Sequence, residues 1–465
     1  MLVFFQINGE KIPVNEGAFG DGLFFRDVAR FFLEDMEHSG YNLVQLTRIL
    51  PFALLNLSFS ALHLVKDNDG LRNGMIIWQL VYLGISIYWY FRIAKKLRLK
   101  PAPSTLGFIL LFFNYAWLKN VWYHPFTPDL MAFALGMGQA NYFLRYEKFK
   151  LGMVSVLGAF VSPLLILSGI LMLFLPGDKL PLYEGTRPKH ILPAIFALVL
   201  PLIFAILGWT LWSWGDHSWI APILHVLALV FVAALIIWAA KKNTVNWSLA
   251  IKQLKKRSRS DRLSKGIMAL VGVMLVLIML SGENENLGVF RFLKELGNGA
   301  LRFPGDLIIH SILFWGLPAL FTLLYIRRVI QEAGNLGWSV VWILGFGLVL
   351  LIFLKASALA AWIPLWVVVI LKAIKRYRWT VKDLVGNGLL GFLLSFYWLP
   401  INSAELIPFL EKSGTVSPLN LAIQPFTIHY PELISLLDFL VLAILFSVIL
   451  GAMAWRRKRY IRQVN

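Results

Sequence analysis

Residues 151–176 read LGMVSVLGAFVSPLLILSGILMLFLP, an uncharged run of 26 residues. About 20 apolar residues cross the roughly 30 Å of bilayer hydrocarbon, so length alone makes this stretch one membrane helix. Pro163 argues for two. Proline has no helix donor and drives the residue before it out of the helical conformation, so Ser162-Pro163 predicts a turn between two short helices. The choice orients everything downstream. One span would put the next basic clusters on alternating sides, whereas a broken pair returns them all to one side.

Those clusters are KKLRLK (95–100), RYEKFK (145–150), the run 241–265 containing KKRSRS, Arg327 with Arg328, KAIKRYR (372–378) and RRKRYIR (456–462). They alternate with apolar runs of 16 to 25 residues edged by Trp and Tyr. Of 465 residues 58% are hydrophobic and only 15% charged, and the mean hydropathy is +0.69. This composition predicts an all-α polytopic membrane protein of about 12–13 transmembrane helices, with none of the period-2 alternation of barrel strands. The net charge of +19 then reads as cytoplasmic loop charge under the positive-inside rule, not as a nucleic-acid face. The chain has no cysteine, which excludes disulfides and thiolate metal sites. MLVFFQ is too short for the apolar core of a cleavable signal.

The same charge logic treats ILPFALLNLSFSALHLV (49–65). As a full span it would send KKLRLK outside, so it is expected to lie at the interface. Residues 1–74 then form an extracytoplasmic loop with interfacial amphipathic helices, 75–240 a transmembrane module, and 241–465 a C-terminal transmembrane region. The last carries external loops at 282–306 and 401–432, and the C-terminus is cytoplasmic. The expected location is the cell inner (plasma) membrane. Loops this long in a bundle of short connections are more often functional than linking.

From Gly22 to Met36, Phe24, Phe25, Val28, Phe31, Phe32 and Met36 recur at helical spacing, with Arg26, Asp27, Arg30, Glu34 and Asp35 on the other face. This predicts an amphipathic helix with an Arg30–Glu34 pair one turn apart. Asp21 stands just before it, either as an N-cap or as a carboxylate with chemistry to do. Asp129, in NVWYHPFTPDL, opens the next predicted span at its outer mouth. His124 in that turn is an interface residue or a ligand, and carboxylates with His124 could hold a divalent cation. Arg48, before the interfacial helix, either snorkels to headgroups or meets a phosphate. Arg291, with Lys294 and Arg302, gives an external loop a basic character that a phosphate-bearing ligand or anionic lipid would explain. Within the predicted spans the main ionisable residues are His225 and His310, fewer than ion-coupled transport needs. The chain lacks G-x-x-x-x-G-K-[ST], G-x-S-x-G and H-E-x-x-H, which withdraws support from ATP-driven transport and common hydrolase chemistry.

The order of these features resembles the GT-C superfamily of integral membrane glycosyltransferases. The likeness rests on D21-G-L-F-F-R-D-V-A29, on R48-I-L-P51, on YHPFTPDLMAFALG as a second external turn, and on LGAFVSPLLIL as a broken helix pair. It covers residues 15–240. It implies a helical bundle that transfers a sugar from a polyprenyl-phosphate-linked donor to a glycan, lipid or protein hydroxyl on the extracytoplasmic face. By resemblance Asp21 stands for the catalytic carboxylate and Asp129 for the second acid; Arg48 and Arg291 would serve the donor phosphate. The chain departs from the family pattern in two places: the pattern places a first helix upstream of Met1, and it often has Thr or a basic residue where Ser162 precedes Pro163. The physical argument agrees, because an external site has no access to cytoplasmic nucleotide sugars. The other readings are an O-antigen-type polysaccharide polymerase, which would lean on external arginines, and a lipid-linked sugar flippase or transporter.

Overall fold

The computed structural model describes residues 18, 21–38, 40–175, 177–181, 199, 220–241, 245–257, 260–281, 305–353, 356–398 and 436–464. Helices α1 (Asp21–His38), α2 (Leu43–Leu46) and α3 (Leu50–Ala61) precede the long α4 (Asn68–Lys96). Then α5 (Pro101–Phe112) leads through a π-helical turn (Ala116–Asn120) and α6 (Val121–Tyr123) to α7 (Asp129–Arg145), α8 (Lys148–Gly158) and α9 (Pro163–Phe174). Next come α10 (Ile220–Lys241), α11 (Trp247–Arg257), α12 (Ser260–Leu280), α13 (Asp306–Trp315), α14 (Leu317–Leu336) and α15 (Trp338–Phe353). A 3-10 segment (Ala356–Ala361) leads to α16 (Ile363–Ile374), α17 (Val381–Leu394) and α18 (Leu436–Val464). Among the described residues there is no strand, and one isolated parallel bridge joins Tyr41 to Ser281.

Pro163 opens α9, and Ser162 before it is extended (φ −161°, ψ 131°), so the run 151–176 is two helices. The same breakage recurs where a single span was expected. The run 104–120 stops at Phe113, where the buried Asn114 takes over the backbone's role: its amide donates to the Leu111 carbonyl and accepts from Trp117 N–H. The run 306–326 breaks at Gly316, whose φ of +64° suits only glycine, and Pro318 restarts the helix behind it. The run 357–374 begins with a 3-10 turn, so its helix is 12 residues long. Among the described residues two helices are therefore long and apolar enough to cross a membrane, Asn68–Lys96 and Leu437–Arg457 within α18, while the shorter apolar helices run 10–17 residues. The expected span 190–212 and the loops 282–304 and 401–432 lie outside the described residues, apart from Val199.

The core forms around α16, where Ile363, Val367, Val369, Ile370, Leu371 and Ile374 are all fully buried. A helix apolar on every side must be covered on every side, and α5, α7 and α14 pack around it. At Gly136 of α7 a Cβ would lie 2.1 Å from the Ala361 carbonyl oxygen, so glycine sets how closely α7 meets the 3-10 segment. The broken pair α8–α9 is pinned to α7 by Gln139, whose Nε2 donates to Ser155 Oγ (2.9 Å) and the Leu165 carbonyl (2.6 Å) while Ser168 Oγ donates to its Oε1 (2.7 Å). Apolar residues also face outward. Ile77, Val81, Ile85 and Tyr88 of α4 form an exposed stripe at helical spacing, as do Ile267, Val271, Leu275 and Ile278 of α12.

Basic residues gather at one end of the bundle. Arg92 near the end of α4 meets Glu147 (4.0 Å), the Tyr325 ring of α14 lies 5.2 Å from that of Tyr377, and Arg456 pairs with Asp383 (2.9 Å). The beginning of α4, α1 and the Ser162-Pro163 turn lie at the other end, about 43 Å away along the 29 residues of α4.

Candidate functional site

At that second end α1, α3, the 124–128 turn and the α8–α9 turn share an apolar cluster that includes Phe25, Val28, Phe52, Phe126 and Ala159. The amphipathic reading of α1 holds in part. Phe25, Val28 and Ala29 are buried, whereas Phe31 and Met36 are exposed. The stripe divides because α1 kinks at Phe31 (φ −115°, ψ 16°). Phe25 stacks on Phe52 of α3 at 4.5 Å, and the buried Asn56 of α3 donates through Nδ2 to the carbonyls of Ala29 (3.0 Å) and Arg30 (2.8 Å). Residues that looked like polar interruptions of 49–65 thus include the side chain that ties α3 to the kink of α1.

Arg30 does not pair with Glu34. Its Nε donates to the Lys66 carbonyl (3.0 Å) and its Nη2 to Asn68 Oδ1, joining α1 to the start of α4. A fixed carbonyl and amide in a turn hold a guanidinium better than an exposed carboxylate one turn away, whose attraction water screens. Tyr41 closes the far side: its hydroxyl donates to Asp35 (3.1 Å), and burial together with the Asp35 charge pushes its phenol well above the usual range.

Asp21 stands in the first turn of α1, where the positive end of the helix favours its carboxylate. Its neighbour Gly22 sits against Phe126, with room for a Cβ 3.6 Å from that residue's backbone oxygen. This brings the start of α1 onto the turn that delivers Asp129. Asp129 opens α7 behind Pro128, and that turn is held from α4 by Gln79, whose Nε2 donates to the Pro125 carbonyl (3.1 Å). His124 is buried in the same turn, edge-on to the Tyr123 ring.

Arg48 pairs with the first of the two acids. Its Nη1 lies 3.9 Å from Asp21 Oδ2, and its charge reaches Asp129 more weakly than burial of that carboxyl, which acts in the opposite sense. The loop carrying it is anchored by the Leu50 N–H, which donates to the Phe160 carbonyl in the α8–α9 turn (2.9 Å). Four separate stretches of sequence thereby meet: the start of α1, the 47–50 step, the 124–129 turn and the helix break. The Asp21 side chain is 85% exposed and that of Arg48 43%. An ion pair so wet adds little stability, and both groups are open to a ligand from outside.

Arg291 lies outside the described residues, as do Lys294 and Arg302. Among the described residues no group of three or more His, Cys, Asp or Glu could hold a metal ion. His225 lies within α10, and His310 pairs with Asp306 (3.0 Å) one turn earlier in α13. The reading of few ionisable groups in the apolar segments missed Lys119, fully buried with Nζ donating to the Phe396 carbonyl (2.8 Å), and buried Asp438. Lys119 was legible as a charge inside the run 104–120; the carbonyl that receives it, 277 positions away, was not. The chain matches no protein-family model, and it is similar to no curated protein and no solved structure.

Proposed function

We propose that this chain is a polytopic membrane glycosyltransferase of GT-C type, moving a sugar from a polyprenyl-phosphate donor to an acceptor hydroxyl at the extracytoplasmic face. The carrying observation is the Arg48–Asp21 ion pair beside the turn that opens α7 at Asp129, at the end of α4 remote from Arg92. The exposed apolar stripes of α4 and α12 support a lipid environment, in which such faces need no protein cover. Among the described residues the long α4 and α18 are of spanning length.

In the reaction Asp21 takes the proton of the acceptor hydroxyl as that oxygen forms its bond to the anomeric carbon. The bond from that carbon to the phosphate oxygen breaks, and the electron pair leaves with the polyprenyl phosphate. Arg48 stabilises the departing phosphate, its planar fork suited to two phosphate oxygens. Asp129, with His124 in its turn, orients the acceptor through hydrogen bonds. Displacement from the face opposite the phosphate inverts the anomeric centre. A divalent ion would find its donors here among Asp21, Asp129 and His124 and would supply positive charge for the departing phosphate. No step passes through one.

The test is transfer of radiolabelled hexoses and pentoses from polyprenyl phosphate to cell-envelope acceptors by membranes holding the protein. Asp21→Asn, at unchanged protein level, is expected to lose about 10²-fold or more of the rate, the usual worth of a general base. Undiminished transfer by that variant would sink the assignment.

A further inference from the structure

Three basic clusters that look independent in the sequence converge on one cavity. Arg327 and Arg328 of α14, Arg376 beyond α16 and Arg457 of α18 line a space of about 640 Å³ together with Tyr325 and Gln331, and none of its lining residues is acidic. Two of the guanidinium groups are held in place. Arg457 lies over the Tyr325 ring at 4.6 Å and Arg328 over Tyr377 at 5.1 Å. Nη1 of Arg457 donates to the Leu324 carbonyl (2.7 Å), while its buried Nε has no hydrogen-bond partner among the described residues. The nearby acids are engaged elsewhere: Asp383 with Arg456 (2.9 Å) and Glu332 with Lys372 (3.5 Å). Four cations left facing one space, one with a donor still to satisfy, describe an anion site.

The cavity does not end at the arginines. A second space, also about 640 Å³, shares Trp238, Leu323, Leu324 and Arg457 with the first and runs on between α10, α13 and α18. Its walls are apolar, with Phe231, Ile308, Ile312, Phe446 and Leu450 among them. Along α18 it reaches from Arg457 to Ala443, about 21 Å of helix and so more than half the thickness of a bilayer's hydrocarbon. A free phosphate would use the first space and leave the second empty. A molecule with an anionic head and a long apolar chain fills both.

We infer that this is a binding site for an anionic phospholipid, its phosphate among Arg327, Arg328, Arg376 and Arg457 and one acyl chain along the groove beside α18. The site lies at the opposite end from Asp21. It needs the chain to sit in a bilayer but does not depend on the chemistry at Asp21, so either can fail alone.

The experiment uses the full chain purified in detergent, with retained lipid counted by native mass spectrometry and thermal unfolding followed after adding phosphatidylglycerol, phosphatidylcholine or inorganic phosphate. Phosphatidylglycerol is expected to be retained and to raise the unfolding temperature, and the other two to do neither. Arg376→Gln and Arg327→Gln alter exposed side chains that the fold does not need, and each is expected to weaken phosphatidylglycerol binding about fivefold. Ala454→Trp, which fills the groove beside Arg457 and leaves every arginine in place, should abolish retention. Equal retention of the two lipids, or arginine variants that bind as wild type, would overturn the proposal. Stabilisation by inorganic phosphate equal to that by phosphatidylglycerol would overturn it too, leaving a site for a soluble anion.

Discussion

Arg48 is the residue on which the proposed site turns, since its guanidinium pairs with Asp21 beside the turn that opens α7 at Asp129. Geometry matters here as much as charge. Arg48→Lys keeps the cation but replaces a planar fork, suited to two phosphate oxygens, with a compact ammonium. Sugar transfer by that variant is expected to fall about tenfold, and by Arg48→Gln about 10²-fold, the scale of losing one donor to a developing anion. Equal activity of the lysine variant and wild type in the radiolabel assay would show that charge alone suffices. Asn56 illustrates a residue whose importance is structural. Asn56→Leu removes the donors to the Ala29 and Arg30 carbonyls inside a buried contact, and should cost about 1–3 kcal/mol in a detergent melt. Periodicity marked Asn56 only as a blemish in an apolar run, because its partners lie 26 and 27 positions away.

Among the elements, the broken helices carry the architecture. Pro163 made one break legible, and Gly316 with Pro318 signalled a second by the same chemistry. The break after Phe113 had no such mark, because asparagine bonds to nearby backbone only in a setting the tertiary fold provides. Two substitutions test how these pieces are held. Gly136→Ala drives a methyl against the Ala361 carbonyl, and neither backbone can retreat, so a loss of about 1–3 kcal/mol is expected from thermal unfolding. A variant as stable as wild type would mean that α7 and the 3-10 segment are not in such close contact. Gln139→Leu strips Ser155, Ser168 and the Leu165 carbonyl of their shared partner. It should loosen α8–α9 by a similar amount and, by shifting the turn that anchors Leu50, reduce transfer as well.

For the whole molecule the test is sidedness. Val65, 78% exposed just before α4, and Phe149, 80% exposed beyond α7, lie at opposite ends of the bundle. The chain has no native cysteine, so Val65→Cys and Phe149→Cys each give a single thiol. A membrane-impermeant maleimide is expected to label the first in intact cells and the second only after permeabilisation. Labelling of both from one side would end the transmembrane reading and the assignment of Asp21 to the outer face.

Composition and hydrophobic spacing by themselves determined that the described chain is helical and that Pro163 separates two of its helices, because these follow from the backbone and from side-chain transfer into apolar surroundings. They did not show that the runs 104–120, 306–326 and 357–374 are broken as well. Local sequence also marked Asp21, Arg48 and Asp129 as charges at helix ends. Only the tertiary structure decided that Arg48 pairs with Asp21, that Arg30 leaves Glu34 for the turn before α4, and that basic clusters from three segments line a single cavity. The reason is physical. Periodicity records what each helix turns inward, but which helices are neighbours depends on the packing of α16, Gly136 and Gln139, contacts between residues far apart in the chain.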